Sequence, residues 1–270
     1  MTKLVGILNI TPDSFSDGGK FDSLEAALTH LKQLLQDGVD IIDIGAESTR
    51  PGATALNDDE EWQRLEAILP EIVKEVKKFN DENNKNIQTA IDSYHFSTIK
   101  KAYELGVDII NDVSGLVDEK IVDFIVQNNV TTILMHSLSV PTNPKLIVNP
   151  HLNVNEEIIK WAQEKIALLS GKGVKKSQLI FDPGIGFAKN SQQSIRILKG
   201  IDAYFALDLP IYIGHSRKRF LDEIDWSDFD EKDQTSLSRD EKTIIISQYL
   251  QKKSVDFIRV HDVANHRKML

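Results

Sequence analysis

Leu4-Val5-Gly6-Ile7-Leu8 runs straight into Asn9-Ile10-Thr11-Pro12-Asp13-Ser14-Phe15-Ser16-Asp17-Gly18-Gly19. The apolar part is too short for a helix and reads as a strand buried on both faces, the kind a parallel sheet requires. The strand empties into a loop of hydroxyls, carboxylates and glycines. That construction recurs in Ile41-Ile42-Asp43-Ile44-Gly45, Ile87-Gln88-Thr89-Ala90-Ile91-Asp92, Val107-Asp108-Ile109-Ile110-Asn111-Asp112 and Thr132-Ile133-Leu134-Met135-His136. It continues in Leu179-Ile180-Phe181-Asp182, Ile211-Tyr212-Ile213-Gly214-His215 and Asp256-Phe257-Ile258-Arg259-Val260-His261, which makes eight runs with the first. All but the run ending in Gly45 lead into a polar residue that a plain turn does not demand.

Helical patterns fill the gaps. From Phe21 to Leu35, apolar residues at Leu24, Ala27, Leu28, Leu31, Leu34 and Leu35 form one stripe, with Asp22 or Ser23 as cap and Gly38 as stop. Similar patterns cover Asp58 to Phe79, Phe96 to Leu105, Asp118 to Asn128, Asn155 to Ser170, Ser191 to Lys199 and Leu237 to Lys252. Eight βα units close most naturally into an α/β fold of the (β/α)8 TIM-barrel type, for which about 250 residues is typical. The chain has 270, so one domain over residues 1–270 is expected. An open doubly wound sheet is the weaker alternative, because no Gly-x-Gly-x-x-Gly follows the first strand. The polar stretch from Trp226 to Asp240 follows neither period and reads as a mobile surface excursion after the seventh strand.

Composition sets the surroundings. With no cysteine, disulfides, thiolate metal sites and a cysteine nucleophile are excluded. A net charge of -9 argues against a nucleic-acid surface. No run approaches the roughly twenty apolar residues of a membrane span, and the first residues lack a signal-peptide pattern, so a cytoplasmic protein is expected. The run Asp58-Asp59-Glu60-Glu61 suits the positive end of a helix dipole better than a metal. The seven histidines show no His-x-x-x-His spacing, which disfavours a dedicated zinc site.

A barrel of this type carries its chemistry at the C-terminal ends of the strands. There the chain places Asn9, Asp13, Asp17, Thr49, Arg50, Asp92, Asn111, His136, Asp182, Lys218, Arg259 and His261. Carboxylates and an amide on one side and cations on the other suit a heterocycle with several N–H groups and an anionic leaving group.

Several of these segments, in order, resemble dihydropteroate synthases. They are the stretch from Asn9 to Gly19, Glu47-Ser48-Thr49-Arg50-Pro51-Gly52, Ile110-Asn111-Asp112-Val113-Ser114-Gly115, Asp182-Pro183-Gly184-Ile185-Gly186-Phe187, Ser216-Arg217-Lys218 and Arg259-Val260-His261-Asp262. The resemblance implies condensation of 6-hydroxymethyl-7,8-dihydropterin diphosphate with 4-aminobenzoate to give 7,8-dihydropteroate and diphosphate, in folate biosynthesis, through a cationic pterin intermediate. It also implies a sulfonamide target. Asp92, Asp17 and Lys218 are then the catalytic candidates, and Asp92, Asn111, Met135, Asp182 and Lys218 bind the pterin. Asp182 can accept two hydrogen bonds from the 2-amino and N3–H edge.

Asn9, Arg50, Arg259 and His261 take the diphosphate. Phe15, Thr49, Arg50, Pro51, Phe187 and Arg219 surround the aminobenzoate, Arg219 standing where the family commonly has a serine. A Mg2+ ion bound with the diphosphate, with Asn9 as its one protein ligand, is implied as well. So are a homodimer, packed in this family through helices near the C-terminal end, and fusion to or association with another folate-pathway enzyme. A methyltetrahydrofolate-binding methyltransferase barrel and a non-catalytic pterin-binding barrel are the alternatives. Arg259 and His261 speak against the first, and the presence of Asp92 and the first-loop carboxylates against the second.

Overall fold

The computed structural model describes residues 2–11, 20–48, 54–143, 145–229 and 237–270. Phe15, Asp17, Thr49, Arg50 and Pro51 therefore lie outside the described residues. Eight strands form one sheet: β1 Lys3–Asn9, β2 Ile41–Gly45, β3 Gln88–Asp92, β4 Ile109–Asp112, β5 Thr131–Met135, β6 Leu179–Asp182, β7 Tyr212–Ile213 and β8 Phe257–Val260. Their order is β6-β5-β4-β3-β2-β1-β8-β7, and every ladder is parallel. A parallel bridge between Phe181 and Ile211, with Phe181 N donating to Pro210 O at 2.8 Å, joins the outer strands β6 and β7 into a TIM barrel.

Helices α1 Lys20–Gln36, α2 Asp58–Leu65, α3 Leu69–Asn83, α4 Phe96–Glu104, α5 Glu119–Asn128, α6 Val154–Gly171, α7 Ser191–Lys199, α8 Arg239–Lys252 and α9 Val263–Met269 cover the outside. Three expectations change. Asp58 to Phe79 is two helices, because Pro70 has no N–H to give and its ring would strike the carbonyl four residues back, so α3 restarts with Pro70 in its first turn. Helix α1 begins at Lys20, ahead of the expected caps Asp22 and Ser23. In the polar excursion, Trp226–Phe229 forms a 3-10 turn whose buried Phe229 meets the Tyr249 ring edge-on at 4.9 Å. The acidic run does start α2, under an Asn57 capping box, but Glu61 turns inward and is fully buried.

The barrel interior has a simple plan. Val5, Ile41, Ala90, Ile109, Ile133, Ile180 and Tyr212, with Phe257 packed against them, form one apolar layer to which every strand gives one residue. In a pleated strand, residues i and i+2 share a face. Two residues further along each strand stand Ile7, Asp43, Asp92, Asn111, Met135, Asp182, Gly214 and Arg259. The layer above the plug is thus polar and charged at five of its positions, toward the C-terminal strand ends.

Candidate active site

Burying charge in that layer is costly unless the charges meet. Here they do. Arg259 Nε donates to Asp43 Oδ2 at 2.5 Å and Nη2 donates to Asp92 Oδ2 at 3.0 Å. Asn111 Nδ2 reaches both Asp43 oxygens at 3.3 and 3.2 Å. Asp43 is fully buried, whereas the Asp92 side chain keeps 17% of its surface open, so Asp92 faces the cleft and Asp43 lies behind it. Burial, and then the Asp43 carboxylate, push Asp92 up to about 7. Burial works against the Arg259 guanidinium, but Asp43 and Asp92 hold it above its ordinary value.

Across the barrel, Asp182 ends β6 and is buried; Gly184 N donates to its Oδ1 at 2.7 Å. Burial raises its pKa, opposed by that N–H and by the charges of Lys218, Lys189 and Arg259. Met135 pairs with Asp182 in the ladder and is buried beside it. Lys218, after β7, lays its Nζ 4.8 Å over the Phe187 ring and donates to Ile185 O. Gly186, at φ +79°, makes room for that lysine: a Cβ there would stand 3.2 Å from Lys218 Cδ. Asn9 closes β1, half-buried. His261 Nδ1 lies 2.9 Å from Ser216 Oγ, which also accepts from His261 N at 3.3 Å.

The ring therefore gathers Asp92, Asn111, Met135, Asp182 and Arg259 on the inward faces of their strands, with Lys218 and Phe187 on loops above. Arg219 is not brought in; its side chain is 86% exposed and faces Glu223 at 3.9 Å. Two buried groups escaped the sequence analysis. Asp43 had a signal, a carboxylate inside an otherwise apolar strand. Lys189 had none. Its Nζ donates to His136 O at 3.0 Å and Phe187 O at 2.8 Å, and lies 2.8 Å from His136 Nδ1. His136, pushed down to about 3 by burial and then by Lys189, is neutral, and its ring meets Trp161 edge-on at 4.8 Å. His215 sits behind the cleft, fully buried, with Nε2 3.0 Å from Ser247 Oγ on α8.

Among the described residues no group of three or more His, Cys, Asp or Glu side chains could hold a metal ion, and no helix is long and apolar enough to cross a membrane. An oxygen-seeking ion such as Mg2+ would take a single side-chain amide such as Asn9, with its other ligands from substrate and water.

A family model for pterin-binding enzymes matches residues 5–261. The dihydropteroate synthase of Bacillus subtilis (strain 168) is 35% identical over 272 residues, spanning 99% of this chain and 86% of that protein. The dihydropteroate synthase of Anaplasma phagocytophilum, solved with bound 6-hydroxymethylpterin-monophosphate, has a TM-score of 0.85 at 37% identity, over 99% of this chain and 96% of that one. The Xanthomonas albilineans enzyme, solved with 4-aminobenzoic acid, has a TM-score of 0.83 at 29% identity, over 99% and 90% of the two chains.

Proposed function

This chain belongs to the pterin-binding enzyme family, and from that premise we infer how its polar ring carries out the activity of a dihydropteroate synthase, a transferase of folate biosynthesis. The observation that carries the inference is the layer above the apolar plug, with acceptor carboxylates at Asp92 and Asp182, an amide at Asn111 and a cation at Arg259, and Lys218 on the loop above it.

Asp182, ionised, accepts from the 2-amino group and N3–H of the dihydropterin. Asn111 supplies a donor or an acceptor to the ring nitrogens, and Lys218 donates to the pterin oxygen and N5. Lys218 already rests on Phe187, whose face is offered to the aromatic half of the reaction. The bond from the pterin methylene carbon to the diphosphate oxygen breaks, and its electron pair leaves with diphosphate. Positive charge spreads over the dihydropterin, where Asp92 stabilises it. The 4-aminobenzoate nitrogen then attacks the methylene carbon and loses a proton to solvent, so no side-chain nucleophile is needed. His261 and Asn9 lie on the diphosphate side. Arg259 adds cationic charge there while holding Asp43 and Asp92 together. A Mg2+ ion on Asn9 would neutralise diphosphate charge. Phe15, Thr49, Arg50 and Pro51 are assigned by sequence to the aminobenzoate side, with Arg50 serving the diphosphate as well.

The test is diphosphate release from the dihydropterin diphosphate with and without 4-aminobenzoate, coupled to detection of dihydropteroate. Product only when both substrates are present is expected. Pterin binding without dihydropteroate would defeat the assignment.

A further inference from the structure

Lys189 is a lysine where lysines seldom sit. Its exposure is 7%, and its Nζ meets three polar atoms that all belong to the turn after β6 and to the end of β5. Two are carbonyl oxygens, of His136 and Phe187. The third is His136 Nδ1, which can accept if the neutral ring carries its proton on Nε2. An ammonium has three N–H groups for these three acceptors.

What Lys189 pins is the stretch that presents the pterin contacts. Phe187 is the platform under Lys218, and Ile185 O is the acceptor of Lys218 Nζ. Gly184 lies between Lys189 and Asp182. Its N–H donates to Asp182 Oδ1 at 2.7 Å, while a Cβ on it would stand 3.2 Å from Lys189 Nζ.

We propose that Lys189 is a positioning residue for the pterin half of the reaction: its ammonium, without touching substrate, supplies positive charge beside Asp182 and fixes the Phe187 turn beneath Lys218. This rests on Asp182 being the pterin anchor. The charged groups facing Asp182 are Lys218 from the β7 loop, Arg259 from β8 and Lys189 from its own turn. Those facing Lys189 are Asp182 and Lys218, with neutral His136 in contact. Burial drives Lys189 well below the ordinary lysine value and Asp182 opposes this, so the two charges support one another. Withdrawing the Lys189 charge leaves Asp182 easier to protonate, and a protonated carboxyl cannot accept from both pterin N–H groups.

The experiment is a double-mutant cycle of Lys189→Met and Asp182→Asn, reading the dissociation constant of 6-hydroxymethylpterin against pH, with KM for 4-aminobenzoate alongside. Lys189→Met should weaken the pterin on the order of tenfold at neutral pH, about the loss of one charge-assisted interaction. The loss should grow as pH falls, and KM for 4-aminobenzoate, whose ring Phe187 also faces, should rise by a smaller factor than the pterin dissociation constant and without its pH dependence. In the Asp182→Asn background the same change should add less than about twofold. An equal, pH-independent loss in both backgrounds would make Lys189 a scaffold residue only and overturn the proposal. Full pterin affinity in Asp182→Asn alone would instead remove the anchor. Should Lys189→Met not fold, nitrogen-15 NMR of lysine-labelled wild type decides: a buried ammonium signal that shifts on pterin binding supports the charge, and a neutral amine at neutral pH refutes it.

Discussion

Asp92→Asn removes one charge and almost no volume from the ring. A cation about 4 Å from a carboxylate gains roughly 4 kcal/mol at an effective dielectric near 20. Arg259, 3.0 Å away and shared with Asp43, offsets part of that field. About 3 kcal/mol is left for the developing pterin cation, which corresponds to about 10²-fold in kcat. The assay is steady-state kcat with both substrates saturating, beside the pterin dissociation constant, which should change far less. The pH profile is a second handle. Asp92 is pushed up to about 7, so wild-type kcat/KM should fall as pH drops through that value, and the Asn variant should lose this acid limb. Because the folded pKa is raised, the stability linked to Asp92 is present in acid and lost as pH rises through about 7. Asparagine escapes that loss, so the variant should melt no earlier than wild type in mild alkali. Turnover within about twofold of wild type, or an unchanged acid limb, would refute a charge-stabilising role for Asp92.

Other perturbations test the frame around the ring. Arg259→Met strands two carboxylates, one of them fully buried, and should cost about 3–5 kcal/mol in urea unfolding at neutral pH; under about 1 kcal/mol would mean the pairs contribute little. Gly184→Ala puts a Cβ 2.1 Å from His136 O at φ +69°, and should lower stability by at least about 2 kcal/mol, measured by thermal melting. His95 bridges Glu47 and Asp58, each at 3.0 Å, and its pKa is raised by its hydrogen bond to Glu47, against burial, with Glu61, Glu47 and Asp58 adding to the rise. Its stabilisation is present in acid and lost as pH rises through the raised value. His95→Gln should flatten that part of the dependence of melting temperature on pH, and an unaltered curve would exclude the bridge as its source.

The cleft was only partly legible in the sequence. Asp92, Asn111 and Asp182 stood out because each closes an apolar run, where burial would otherwise penalise a polar group. Arg259 was visible as a cation inside an apolar run, but its partners were not: Asp43 is 216 residues away in sequence, and only the pairing of β8 with β1, and of β1 with β2, brings them together. Arg219 follows Lys218 in sequence yet points to solvent, because the 3-10 turn that begins there sends consecutive side chains in different directions.

By itself, the sequence determined the eight short strands, the helices between them and the parallel barrel, since the length and periodicity of apolar runs are local properties that burial selects. It also placed most of the polar groups at the C-terminal strand ends. Only the tertiary structure decided which charges neutralise one another, that Asp43 lies behind Asp92, and that Lys189 is folded in beside Asp182. Electrostatic partnership depends on distance through space, and a chain fixes that distance only once the barrel closes.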